Sequence, residues 1–143
     1  MSQTGTDSMS CTFCGIGAGN EPATIVYQDD LTVAFMDIHP KSPGHVLVIP
    51  REHARMLPDL DGATAAAVGQ TLVRVAQGIY GALAPDGLRV QQANGQSAGQ
   101  VVMHVHFHLI PQGASNAPRG RSEEEREGLA RRIAEAMEGA NGG

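Results

Sequence analysis

The sequence predicts an α+β domain: a mainly antiparallel sheet with one central helix and a C-terminal helix. Three observations carry that prediction. Short runs rich in β-branched residues are separated by turn residues rather than by long helices. One apolar stripe at three- and four-residue steps marks a long helix in mid-chain. A second helix signal, with its own capping residues, closes the chain. The order strands, helix, strands, helix fits a layered α+β arrangement. At 143 residues the chain suits one domain with a hydrophobic core.

The elements follow in order. "TIVY" and "LTVAFM" read as two strands around a turn at Gln28-Asp29-Asp30. "IHPKSPG", with two prolines and a glycine, is a loop, and "HVLVIP" is a strand closed by Pro50. A helix is expected from Asp61 to Leu83, where Val68, Leu72, Ala76, Ile79 and Leu83 form one stripe and Asp59 or Asp61 can cap it. Gly69, Gly78 and Gly81 lower its intrinsic helicity, so packing must hold it. "APDG" is a turn and "LRVQQ" a short strand; the polar loop Ala93–Gln100 follows. A C-terminal helix starts at Ser122, where Glu125 completes a capping box and Glu123 and Glu124 favour the positive end; "ANGG" is expected to end it.

Composition excludes some functions. Hydrophobic residues make up 41% of the chain, which is globular rather than disordered. The net charge is −5 with no Lys/Arg cluster, so neither nucleic acid nor an anionic membrane is an expected partner. A small phosphorylated ligand stays open, because backbone amides bind anions without bulk positive charge. "MSQTGTDSMS" lacks the layout of a signal peptide and reads as a flexible leader, with Met9 as an alternative start. No apolar run approaches a membrane span, and the two cysteines, Cys11 and Cys14, form one C-x-x-C. That pattern points to a reducing compartment, the cytoplasm, and to a metal or redox role rather than a structural disulfide.

Half of the six histidines lie in "VMHVHFHLIP". Read as a strand, it places Val101, Met103, Val105, Phe107 and Leu109 on a buried face and His104, His106 and His108 on the other. Successive imidazoles then stand roughly 6.5–7 Å apart. Three readings fit: an ordinary polar face, an H-x-H metal site, or nucleophilic catalysis by a neutral imidazole.

"HVHFHLI" resembles the H-x-H-x-H-φ-φ signature of the histidine triad superfamily, where φ is apolar. "CTFCGI", "VYQDDLTVAFMDIHPKSPGHVLVIPREH" and "NGQSAGQVVMHVHFHLIP" resemble successive blocks of its bacterial HINT-like branch, so the likeness runs from Cys11 to Pro111. The expected organisation is a leader over 1–10, the histidine triad domain over 11–112, and a loop with the C-terminal helix over 113–143. The resemblance implies a nucleotidyl hydrolase or transferase acting at the α-phosphate, on purine nucleotides, through a covalent nucleotidyl-histidine. It assigns His106 as nucleophile, His108 as proton donor or leaving-group contact, and His45 as the histidine beside His106. It gives Asp37 the ribose hydroxyls, Phe35 and Ile38 the base walls, and Gly99 and Gln100 the phosphate neighbourhood. A carboxylate suits a vicinal diol, and apolar walls suit a base face.

The same resemblance implies a structural zinc held by Cys11, Cys14, His53 and His104, a common closed ligand set, with no organic cofactor. His104 then serves as metal ligand, as orienter of His106, or as both through its backbone carbonyl. His39 matches no role. A homodimer is implied by resemblance alone. Two departures stand out: Ala93 replaces an Asn, for which Asn94 substitutes if the loop shifts, and Val101 replaces a hydroxyl donor. Three rivals stay in view: a dinucleoside polyphosphate hydrolase, a nucleotide-binding protein with weak catalysis, which Ala93 and Val101 keep open, and a metal-binding protein using the triad as ligands.

Overall fold

A computed structural model of the chain describes residues 11–142. The leader expected over 1–10 lies outside the described residues. Among the described residues, three α-helices and five strands run in the order α1 (Thr12–Ala18), β1 (Ile25–Gln28), β2 (Thr32–Met36), β3 (Val46–Pro50), α2 (Gly62–Leu83), β4 (Gly87–Gln91), β5 (Phe107–Gln112) and α3 (Glu123–Gly142). The strands form one sheet in the order β1-β2-β3-β5-β4, and every pairing is antiparallel.

The β1–β2 turn is built by Asp29. Its Oδ1 accepts from the Leu31 and Thr32 amides at 2.9 and 2.8 Å, an Asx turn that reverses the chain. Both β2 and β3 are buried along their whole length, which means that both sheet faces are covered. Val26, Ala34, Met36, Val46, Val48 and Leu109 meet Val68, Val75 and Ile79 of α2 and Leu129, Ala130, Ile133 and Met137 of α3 in the main core. The opposite face carries a smaller cluster: Val33, Phe35, Leu47 and Ile49, with Phe13 and Ile16 from α1. The C-terminal helix therefore shares the core of the preceding 11–112 segment.

Asp61 caps α2, its carboxylate accepting from the Thr64 amide at 2.7 Å. The buried line of α2 is broader than the predicted stripe. It includes Thr64, Thr71, Val75 and Gly78, while Leu72, Ala76 and Leu83 are only partly buried. The reason is the close approach of α3: a Cβ on Gly78 would lie 2.4 Å from Met137 Cγ and 2.8 Å from the Ile133 carbonyl oxygen. The glycine that weakens the isolated helix is what lets the two helices meet.

Three other expectations change. The C-x-x-C segment forms the short helix α1, which the sequence reading did not include. The capping box at α3 is half made. Ser122 Oγ accepts from the Glu125 amide at 3.1 Å, but the Glu125 carboxylate reaches past Ser122 to the Gly120 and Arg121 amides. The helix runs to Gly142, inside the terminal "ANGG". The third change concerns the histidine segment. Only Phe107–Gln112 is strand, so the expected alternation over Val101–Leu109 fails. Val101 is 87% exposed, whereas the adjacent His104 and Val105 are both fully buried. The Val105 amide bonds the Ala54 carbonyl at 2.7 Å, pulling the chain away from strand geometry and into the 50–54 segment.

Among the described residues no helix is long and apolar enough to cross a membrane.

Candidate functional site

The site lies on the sheet face that α2 and α3 leave uncovered. Leu47 of β3 sits opposite His108 of β5 and Phe35 of β2, and directly opposed residues share a face. His45 just precedes β3. Gly44 turns the chain into it at φ +85°, packed so tightly that a Cβ would meet Leu83 Cδ1 at 2.4 Å.

Two side-chain clusters share the segment 104–108. In the first, Cys11, Cys14, His53 and His104 present ligand atoms that all lie within 4.8 Å of one another. Cys14 Sγ lies 3.1 Å from His53 Nδ1 and 3.4 Å from His104 Nδ1, and Cys11 Sγ lies 3.4 Å from His104 Nδ1. A tetrahedral ion with sulfur at about 2.3 Å and nitrogen at about 2.0 Å spaces its S and N ligands roughly 3.5 Å apart. The donor set and spacing therefore suit one such ion. His104 Nε2 donates to the Pro50 carbonyl at 2.8 Å, which leaves the Nδ1 lone pair facing the cysteines. In the free thiol state burial and the neighbouring Cys11 thiol push Cys14 up to about 12. Burial holds His104 down at about 4.

The second cluster holds Asp37, His45, His106 and His108. His106 Nδ1 lies 2.7 Å from the His104 carbonyl oxygen, which can only accept, so the ring hydrogen sits on Nδ1 and the Nε2 lone pair is left for chemistry. The Lys41 amide donates to His45 Nδ1 at 3.1 Å, so the His45 hydrogen sits on Nε2. That Nε2 faces His108 Nδ1 at 2.9 Å and Asp37 Oδ2 at 3.3 Å. His108 accepts at Nδ1 and carries its hydrogen on Nε2. Burial, reinforced by the like charges of His106 and His45, lowers His108 to about 4. Burial likewise lowers His45, against the opposing pull of Asp37. Both rings are neutral at neutral pH. Asp37, His45 and His108 could be taken as a second metal set. The tautomers argue against it, because a metal on His45 Nε2 would force a hydrogen onto Nδ1, against the Lys41 N–H.

The remaining residues singled out from the sequence are placed unevenly. Phe35 is buried in the small cluster, while Ile38 is 62% exposed. Asp37 Oδ1 takes the His39 amide at 2.8 Å, yet each carboxylate oxygen keeps a second lone pair. His39 is an exposed loop residue. The Asn94 side chain is spent on the loop, its Oδ1 accepting from the Leu57 amide at 2.7 Å and its amide bonding Gln92. Gln100 is buried and braces the same loop, bonding the Gly95 amide and the Arg55 and Val102 carbonyls. Gly99 is exposed with φ +104°. Val101 points out into solvent.

Phe13 was missed from the sequence. Its ring stands edge-on to His106 at 5.2 Å, to Phe35 at 5.5 Å and to His104 at 6.0 Å. No local signal marks it, because Thr12 lies between the same two cysteines and is exposed.

Comparisons with known proteins bear on the family and the fold. The HIT domain model matches residues 18–114. An adenosine 5'-monophosphoramidase from Schizosaccharomyces pombe is 42% identical over 103 residues, covering 72% of this chain and 74% of its own. A crystal structure of a histidine triad nucleotide-binding protein from Sulfolobus tokodaii superposes with TM-score 0.85 at 34% identity, covering 92% of this chain and 94% of that one. A zinc-bound histidine triad family protein from Mycobacterium smegmatis superposes with TM-score 0.82 at 32% identity, covering 94% and 98%.

Proposed function

The chain belongs to the HIT domain family, and from that premise we propose that it hydrolyses nucleoside 5'-phosphoramidates or related nucleotidyl substrates at the α-phosphate through a nucleotidyl-His106 intermediate. One observation carries the reading: the bond from His106 Nδ1 to the His104 carbonyl, which leaves Nε2 as the nucleophilic nitrogen.

The Nε2 lone pair forms a bond to phosphorus as the bond to the leaving nitrogen breaks. The leaving nitrogen takes its electron pair and, with a proton from solvent, departs as the amine. The ring, now cationic, keeps its Nδ1 hydrogen on the His104 carbonyl, which stabilises the charge. Water then attacks phosphorus, the N–P bond breaks, and the electron pair returns to Nε2. The net products are amine and nucleoside monophosphate. Of the two roles expected of His108, contact suits its neutral ring better than proton donation. Its Nε2–H hydrogen-bonds the leaving atom or a phosphoryl oxygen where negative charge develops. Asp37 takes the ribose hydroxyls, while Phe13, Phe35 and Ile38 form the apolar wall for the base, a purine by analogy with the adenosine-named relative.

Cys11, Cys14, His53 and His104 hold a zinc ion in this reading, and its contribution is structural, a cross-link between α1 and the segment carrying His106. Its support is the donor set and the zinc-bound relative. A homodimer is supported by β4, an edge strand with Val90 51% exposed.

The test is His106→Asn assayed on adenosine 5'-phosphoramidate. Turnover is expected to vanish, and turnover near the parent rate would sink the proposal. A second reading, nucleotide binding with little catalysis, is favoured by the outward Val101 and by the use of Asn94 within its own loop. Tight nucleotide binding without burst release of the leaving group would select it.

A further inference from the structure

Arg119 lies in the loop after β5, beyond the residues 18–114 that match the family. Its Nη1 donates to the Lys41 carbonyl at 2.8 Å. Lys41 is the residue whose amide fixes His45. Arg119 thus bonds the carbonyl of the residue whose amide begins a donor chain into the site, Lys41 to His45 and His45 to His108. An imidazole nitrogen that accepts an N–H must be bare, so each link dictates the hydrogen position of the next ring. The direction of the chain starts at the Lys41 amide, because a backbone N–H cannot be turned into an acceptor. The His45 end of the loop is anchored by Gly44, packed on Leu83 and Pro111. Arg119 supplies a hold at the Lys41 end.

We propose that Arg119 is a positioning residue for the reaction, holding Lys41 so that its amide stays on His45 and the His108 hydrogen stays on Nε2. The proposal rests on the role given above to His108 as the hydrogen-bond donor to the reacting phosphate. Loss of Arg119 frees Lys41 and leaves Asp37 Oδ2, at 3.3 Å, as the remaining hold on the His45 Nε2 hydrogen, so the two rings exchange between tautomers more readily. In the wrong tautomer His108 offers a lone pair where the transition state needs a hydrogen.

The experiment uses the full chain with Arg119→Ala and Arg119→Lys. Ring ¹⁵N NMR reads the tautomers, and steady-state kinetics on adenosine 5'-phosphoramidate reads kcat and KM. The parent is expected to show His45 and His108 both protonated at Nε2. Arg119→Ala is expected to mix the tautomers and lower kcat about three- to tenfold, the worth of one hydrogen bond, with KM nearly constant. Arg119→Lys, which can still donate to the carbonyl, restores most of both. Ring signatures unchanged in Arg119→Ala overturn the proposal, whatever the activity. So does a mixed signature with unaltered kcat. The ring signature needs no turnover, so an active His106→Asn would sink the proposed nucleophile and leave this test standing.

Discussion

The two clusters either side of the His104 peptide use the same side chain in opposite ways. His104 is fully buried, gives its Nε2 hydrogen to Pro50, and turns Nδ1 to two thiols. His106, two residues on, gives its Nδ1 hydrogen to the His104 carbonyl and keeps Nε2 for a ligand. The difference lies in what takes the other ring nitrogen, not in the residue type. One cluster is a closed set of four donors, and the other keeps an unspent lone pair and an unspent N–H. His104 belongs to both, through its ring to the first and through its carbonyl to the second.

The comparison breaks most sharply at His106. His106→Asn is expected to lower kcat by about a thousandfold or more while metal content, read by elemental analysis, stays at the parent value. Loss of metal in that variant would erase the distinction between the clusters. Cys14→Ser tests the other side. Metal is expected to leave and the thermal midpoint to fall. A ligand held about 1,000-fold above its Kd contributes roughly 4 kcal/mol, and that stabilisation disappears with it. An unchanged midpoint after zinc-specific chelation of the parent would remove the structural role.

Phe13 touches both clusters and sharpens the boundary between them. Phe13→Ala is expected to keep the metal and raise KM for adenosine nucleotides about tenfold, through loss of an aromatic wall. A change in metal content with constant KM would assign Phe13 to the first cluster alone. The smallest effect concerns acid stability. Folded His108 titrates at about 4 against an ordinary 6.5. Below pH 6.5 the unfolded chain takes up a proton that the folded ring refuses. The His108 contribution to stability is therefore flat above pH 6.5 and falls as pH drops from 6.5 towards 4. His45 shifts in the same direction. The thermal midpoint followed over that range should slope less in His108→Gln, and an identical slope would show that His108 is not held neutral.

Much of the fold was legible from local pattern. Four strand segments and two helices were read within a few residues of their bounds, because β-branched runs, the Asp29 turn and the Asp61 cap act over a few residues, whereas the fifth strand starts only at Phe107. The short helix α1 was not, since Gly15 and Gly17 and a cysteine cap carry no helical signal of their own. The candidate site was legible as a residue set through the triad and its upstream blocks, but not as an arrangement. Asn94 and Gln100 look like ligand contacts by position, yet their side chains brace the loop that carries them. Phe13 and the Lys41 amide carry no chemical label, and their placement depends on residues far away in the chain.

By itself the sequence determined the family and the fold class, and it singled out the histidines that the fold brings together. Side-chain type and spacing of two or three residues are enough for that. Tertiary structure alone decided which partners each histidine ring meets. A ring's tautomer is set by its partners, and the partners come from elsewhere: Pro50 for His104, His45 for His108, Lys41 for His45. It also broke the expected strand at His104. Bringing that ring to Cys11 and Cys14, some ninety residues away, required the chain to leave the pleat, and no local periodicity records such a demand.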